Sequence, residues 1–116
     1  MTPTQRNNFD IARAKFACDA VAFAFGCTGQ MLIESRGNAQ LAFSRQVAMY
    51  LTHVAFGLSL QRVATAFLRD RSTVSYACNL IEDRRDDPKI DDMLDQLEAS
   101  LRAAPMPTLL PITMAA

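Results

Sequence analysis

The stretch Arg69-Asp70-Arg71-Ser72-Thr73-Val74 joins two short segments whose apolar residues recur at helical spacing. Before it, Ser59 is placed to cap a helix whose inner face is Leu60, Val63, Ala64 and Phe67. After it, Val74, Ala77, Cys78 and Ile81 form the inner face of a second helix ending near Arg85. The connection is the tight turn Leu68-Arg69-Asp70, and Asp70 or Ser72 is expected to accept hydrogen bonds from the open amides of the second helix's first turn. Two helices joined this closely make a helix-turn-helix. With the apolar residues turned inward, Arg71, Ser72, Ser75 and Asn79 point outward or toward the helix start, beside Thr73.

Those residue types at that place have a specific chemistry. The N-terminal residues of the second helix of such a motif meet base edges in the major groove of DNA. Arginine can grip guanine O6 and N7, asparagine can pair with adenine, aspartate can accept from cytosine N4, and a threonine methyl can meet a thymine methyl. The helix N-terminus adds amides and partial positive charge for a phosphate. The competing reading is a capped helix with an exposed polar start and no ligand.

Outward from the motif the chain reads as helical throughout, with no stretch of strand periodicity. A first helix is predicted from about Asn8 to Phe25, with Ile11, Ala14, Cys18, Val21, Ala22 and Phe25 on one stripe and Phe9, Phe16 and Phe23 on a second line. Burial of both lines within the domain is the expectation; a dimer seam or docking face is the alternative. Gly26 ends this helix. A short helix from Thr28 or Gly29 to about Ser35 and a loop at Arg36-Gly37-Asn38 follow. The next helix covers about Leu41 to Phe56, with Val47, Ala48, Leu51, Val54 and Ala55 inward, Ser44 as a cap and Phe43 packing back on Ala48. Gly57 closes it. Beyond the motif, Asp86-Asp87-Pro88 breaks the chain before a last helix from Lys89 to Ala103, whose apolar face is Ile90, Met93, Leu94, Leu97 and Leu101. Glu82, Asp83, Arg84 and Arg85 read as a solvated helix end. Residues 1–103 are thus expected to form one domain, and 104–116, with three prolines, a disordered tail whose Leu109, Leu110 and Ile112 could instead dock on a partner.

Composition narrows the function. Half of the 116 residues are hydrophobic, enough for a packed core. No run of about 18 apolar residues exists, and the N-terminus lacks the pattern of a signal peptide, so a cytoplasmic, nucleoid-associated protein without membrane contact is expected. Cys18, Cys27 and Cys78 are odd in number and scattered; they read as small core residues rather than a disulfide framework or, with His53, a zinc site. His53 itself reads as a partly buried or surface polar group. The formal net charge is zero, but residues 35–78 carry Arg36, Arg45, Arg62, Arg69 and Arg71 against Asp70 alone, while residues 79–116 carry twice as many acids as bases. A local field is what a phosphate backbone responds to.

Ser44-Arg45-Gln46-Val47-Ala48-Met49-Tyr50-Leu51, Leu58-Ser59-Leu60, Ala66-Phe67, the Arg69–Val74 motif, Ala77-Cys78 and Ile81-Glu82 together resemble the C-terminal DNA-binding domain of the bacterial replication initiator DnaA, over about residues 20 to 85. The resemblance implies an all-α fold, a compact bundle of about six helices containing a helix-turn-helix, in the manner of Trp repressor and of that domain. It also implies that Arg69, Asp70, Arg71, Ser72 and Thr73 lie against bases and phosphates in the major groove, and that Arg45 lies near the backbone. The family's minor-groove arginine falls at Gly37 here, with Arg36 next to it. Leu68 stands where the family has two glycines, so the turn is one residue shorter. Arg71 replaces a histidine, which implies an altered base preference.

The partner implied is double-stranded DNA. No Gly-x-x-x-x-Gly-Lys-Ser/Thr loop occurs, so neither ATP nor any other cofactor is expected, and no catalytic constellation is present. The candidate DNA-binding residues are Arg36, Arg45, Arg62, Arg69, Asp70, Arg71, Ser72, Thr73, Ser75 and Asn79. The expected role is a transcriptional regulator. Control of replication through initiator-type boxes and a protein-interaction module that has lost DNA binding are the alternatives. Self-association or a protein contact through the first helix or the tail is left open.

Overall fold

In the computed structural model, which describes residues 1–34 and 39–104, every regular element is a helix: α1 (Pro3–Phe25), α2 (Gly29–Glu34), α3 (Ala39–Phe56), α4 (Leu60–Phe67), α5 (Arg71–Arg84) and α6 (Pro88–Ala103). The expected loop at Arg36-Gly37-Asn38 and the tail from residue 105 lie outside the described residues. The all-α bundle is therefore as expected, with differences at helix ends that have local causes.

Helix α1 starts at Pro3, well before Asn8. Thr2 and Gln5 form a reciprocal capping box, the Gln5 backbone N–H donating to the Thr2 hydroxyl at 3.2 Å and the Thr2 backbone N–H to the Gln5 side-chain Oε1 at 2.8 Å. Proline in the first turn costs nothing there, because its missing N–H would have been unpaired. Gly26 and Gly57 take left-handed φ of 75° and 68° just past α1 and α3, conformations open to glycine without a steric penalty. At Gly29 a side chain would strike the Asp19 carboxylate, so glycine lets α2 approach α1. Thr28 Oγ1 accepts from the Met31 amide at 3.2 Å over the first turn of α2.

Helix α3 is the central element, packed against all five other helices. The sequence pattern predicted one inward face. The structure instead buries every residue from Val47 to Thr52, including Met49, Tyr50 and Thr52. A helix surrounded on all sides has no solvent face to keep polar. Its buried hydroxyls are satisfied locally: Thr52 Oγ1 donates to the Ala48 carbonyl at 2.7 Å, and Ser44 Oγ to that of Gln40 at 3.0 Å. Ser44 is thus a buried residue inside α3 rather than its cap, since the helix already begins at Ala39. Phe43 likewise lies inside the helix, edge-on to Phe25 at 6.1 Å between ring centres, with the Arg84 guanidinium over its face.

The end of α5 is exposed at Glu82, Asp83 and Arg84, as expected, but not at Arg85. Tyr50 donates its hydroxyl hydrogen to Glu82 Oε2 at 2.6 Å and accepts from Arg85 Nε at 2.9 Å. Arg85 then reaches Asp91 at 2.7 Å, Asp95 at 2.9 Å and Glu98 at 3.4 Å on α6. Burial pulls against the guanidinium charge, but the bonds to Asp91, Tyr50 and Asp95 more than offset it and raise its pKa. The Tyr50 phenol is raised by burial and by its bond to Glu82. One arginine thereby ties α3, α5 and α6 together.

The three cysteines are free, Cys18 buried and Cys27 and Cys78 half-buried. Burial, with Asp19 alongside, pushes the Cys18 thiol up to about 12, and burial pushes Cys78 up to about 11. Both remain protonated at neutral pH, so iodoacetamide should leave Cys18 unmodified in the folded chain and label it after denaturation, as read by mass spectrometry. Tyr50→Phe should lower stability by about 1–2 kcal/mol, because Glu82 and Arg85 lose a shared partner. Thermal denaturation followed by circular dichroism would show a fall of about 4–8 °C per kcal/mol lost.

Candidate nucleic-acid interface

Helix α4 is capped by Ser59, whose hydroxyl accepts from the Arg62 amide at 3.2 Å, as expected. Val63, Ala64 and Phe67 are its buried face. The helix ends at Leu68, which adopts a left-handed conformation with φ 55° and ψ 47°, the only positive φ at a non-glycine among the described residues. Its amide and that of Arg69 fold back onto carbonyls of the last turn, Arg69 N reaching Ala64 O at 3.0 Å. The chain then extends at Asp70 (φ −70°, ψ 148°) and enters α5 at Arg71. The tight turn is therefore made by a leucine in a conformation that glycine adopts at less cost. Its side chain is 86% exposed, so packing does not repay the strain.

Val74, Ala77 and Ile81 anchor α5 in the core, with Cys78 half-buried beside them. That registration leaves Asp70, Arg71, Ser72 and Thr73 exposed at the helix start and Asn79 exposed two turns on, with Ser75 half-buried. The Asp70 backbone carbonyl accepts from the Thr73 and Val74 amides at 3.0 and 3.2 Å. Its carboxylate makes no capping hydrogen bond, contrary to expectation, and Ser72 lies within the helix rather than before it. The open amides of the first turn and a projecting carboxylate thus share one end of α5. Arg69 sits half-buried in the turn.

The other arginines of the basic segment are placed differently. Arg62 grips Asp10 of α1 with two parallel bonds, Nε to Oδ2 at 2.9 Å and Nη2 to Oδ1 at 2.8 Å. The Asp10 side chain is almost wholly buried, and the paired geometry raises the Arg62 pKa. Arg62 thereby fixes α4 against α1. Arg45 is half-buried within α3, its Nη1 donating to the Leu32 carbonyl of α2 at 3.4 Å. Arg36 lies outside the described residues. Of the expected site, the structure brings together Arg69, Asp70, Arg71, Ser72, Thr73, Ser75 and Asn79, and sets Arg45 and Arg62 apart at helix junctions.

One residue of this surface escaped the sequence reading. Tyr76 is 65% exposed on α5, between Ser72 and Asn79 on the same face. Its spacing of four after Ser72 and three before Asn79 was the available signal. Among the described residues no cluster of histidine, cysteine or acidic side chains is arranged to hold a metal ion, and no helix is long and apolar enough to cross a membrane.

An all-helical bundle that presents the start of the second helix of a tight helix-turn-helix defines a class of protein. Residues 17–81 match the family described as the bacterial dnaA protein helix-turn-helix. The chain belongs to that family. It is 34% identical over 82 residues to the chromosomal replication initiator protein DnaA of Lactococcus lactis subsp. cremoris, a match covering 69% of this chain and 18% of that protein. The DnaA of Thermodesulfovibrio yellowstonii is 31% identical over 80 residues, covering 67% and 18%. The chain thus spans less than a fifth of these relatives' length. A crystal structure of a DNA replication initiation factor superposes with a TM-score of 0.75 at 22% identity, over 85% of this chain and 31% of that one, which shows a shared fold.

Leu68→Gly should raise stability by about 0.5–1 kcal/mol, because relief of the left-handed strain exceeds glycine's extra unfolded-state entropy. Asp10→Ala should lower it by about 2–3 kcal/mol, since Arg62 would lose a buried, doubly bonded partner. Urea unfolding of the two variants checks both signs.

Proposed function

We propose that this chain binds double-stranded DNA sequence-specifically by laying α5 in the major groove, and that it acts as a regulator of transcription. The observation that carries the reading is the first turn of α5, where Asp70, Arg71, Ser72 and Thr73 are all exposed while Val74 and Ala77 hold the helix in the core. Membership of the DnaA helix-turn-helix family supports it. Arg71, which has no ion-pair partner among the described residues, supplies a fork for guanine or phosphate. The uncapped Asp70 carboxylate can accept from cytosine N4, and Ser72 and Thr73 reach neighbouring base edges. Ser75, Tyr76 and Asn79 extend the contact along the groove. Arg69 and the open amides of the α5 start serve the phosphates.

Arg45 and Arg62 act in this reading chiefly by position. Their guanidinium groups tie α2 to α3 and α4 to α1, and each holds an element that orients the motif. Arg36 is retained as the candidate for the minor groove on the sequence resemblance alone. A second reading, occupancy of initiator-type boxes in replication control, is favoured by the relatives named as chromosomal replication initiators. Neither reading involves ATP, a cofactor or a catalytic step by this chain.

Fluorescence anisotropy with duplex DNA should show binding that weakens steeply as salt rises, through counterion release. Arg71→Ala should cost about 1–3 kcal/mol on the preferred site and flatten discrimination there. Loss of equal size on every sequence would assign Arg71 to phosphate, and no binding at low salt would sink the proposal. Genome-wide occupancy, at promoters or at an origin, separates transcription from replication control.

A further inference from the structure

The second apolar line of α1 was expected to be buried, and the structure leaves two of its three phenylalanines exposed. Phe16 is 41% exposed and Phe23 is 90% exposed, on the side of α1 away from the core residues Ala14, Ala17, Cys18, Val21 and Ala22. Phe9, Ala12 and Ala20, half-buried, complete the stripe. Residues seven apart on a helix differ by only about 20° in direction, so the three phenylalanines form one ridge about 21 Å long. A phenylalanine 90% open to water is an unfavourable surface unless something covers it.

The order of residues along the ridge specifies the cover. Phe9, Ala12, Phe16, Ala20 and Phe23 lie at −7, −4, 0, +4 and +7 from Phe16, and the series reads the same from either end. That is the requirement for a two-fold interface, in which one patch must be complementary to itself. We infer that α1 pairs antiparallel with α1 of a second copy of this chain, with the two-fold axis passing beside Phe16. Phe16 then meets its own equivalent, Phe9 meets Phe23 of the second copy, and Ala12 meets Ala20, large residues and small ones each in register.

Charge supports the same arrangement. Lys15 and Asp19 are exposed and lie along one edge of the ridge, one position before and three after its centre. In the antiparallel pair each Lys15 falls beside the Asp19 of the other copy, giving two equivalent ion pairs. Gly29 keeps the Asp19 carboxylate against the start of α2, at the margin of the ridge rather than on it. Helix α1 packs on α2, α3, α4 and α6, so pairing through its outer face leaves α5 of both copies uncovered. One helix pair buries less than the roughly 1,200 Å² of stable complexes, so the dimer is weak and concentration-dependent.

Sedimentation equilibrium of the DNA-free chain tests this independently of its DNA binding. The wild type should dimerise in the range of about 1–100 µM, and Phe16→Glu or Phe23→Glu should weaken association at least about 30-fold while leaving the thermal unfolding curve in place. Phe23 is 90% exposed, so Phe23→Glu leaves the core untouched, and it keeps the test valid should Phe16→Glu, at a position only 41% exposed, also lower stability. Disulfide trapping in a Cys27→Ser/Cys78→Ser background tests the orientation. Phe16→Cys should cross-link to itself, and Phe9→Cys should cross-link to Phe23→Cys in a mixture but not to itself. Self-linking of Phe9→Cys would overturn the antiparallel pairing. A chain monomeric at about 100 µM, or a dimer indifferent to both glutamates, would overturn the proposal and assign the ridge to a different protein.

Discussion

Between Val47 and Thr52, helix α3 presents no side to water, because each of its faces is taken by another helix. All five other helices pack on α3. The helices around it need only one apolar stripe each, which is the pattern of α4, α5 and α6. The cost of the arrangement is that polar groups on α3 must be satisfied inside. Ser44 and Thr52 bond back to their own helix, and Tyr50 hands its hydroxyl to Glu82 and Arg85. Buried polar networks of this kind stabilise when every member is paired.

The position of α5 follows from the same constraint. Val74, Ala77 and Ile81 seat it in the core, and the Tyr50–Glu82–Arg85 contacts hold its far end toward α6. With the far end held and the inner face buried, the first turn and the outer face carrying Tyr76 and Asn79 remain outside. The same split governs the arginines. Arg62, Arg45, Arg84 and Arg85 are committed to Asp10, Leu32, Phe43 and the α6 acids, whereas Arg71 projects from the motif. The excess of positive charge counted over residues 35–78 therefore overstates what α5 itself presents to a phosphate backbone. The acids of α6 in turn are partly neutralised by Arg85 and Arg102 rather than left as an open negative face.

Much of the architecture was legible in the chain. Helical spacing of apolar residues located all six helices, Ser59 and Gly26 marked ends that the structure places at those residues, and the Arg69–Val74 motif lay at the turn into α5. Errors came where a residue has more than one local use. Ser44 has the chemistry of a cap and serves as a buried back-bonded hydroxyl. Asp70 has the chemistry of a cap and leaves its carboxylate unbonded to the helix. The Thr2-Pro3-Gln5 signal of a capping box was legible but lies ahead of the apolar stripe that drew the boundary.

By itself the sequence determined the local structure and the chemical character of the motif, because helix formation, capping and turn conformation depend on residues within a few positions of one another. Tertiary structure decided which polar residues are committed to the fold and which remain outside. Asp10 and Arg62 are 52 positions apart, and Tyr50 and Arg85 are 35 apart. No periodicity within either segment encodes such a pairing. The same holds for the phenylalanines of α1. Their spacing showed that they share a face, but only the packing of the other helices on the opposite side of α1 settled that this face is the outer one.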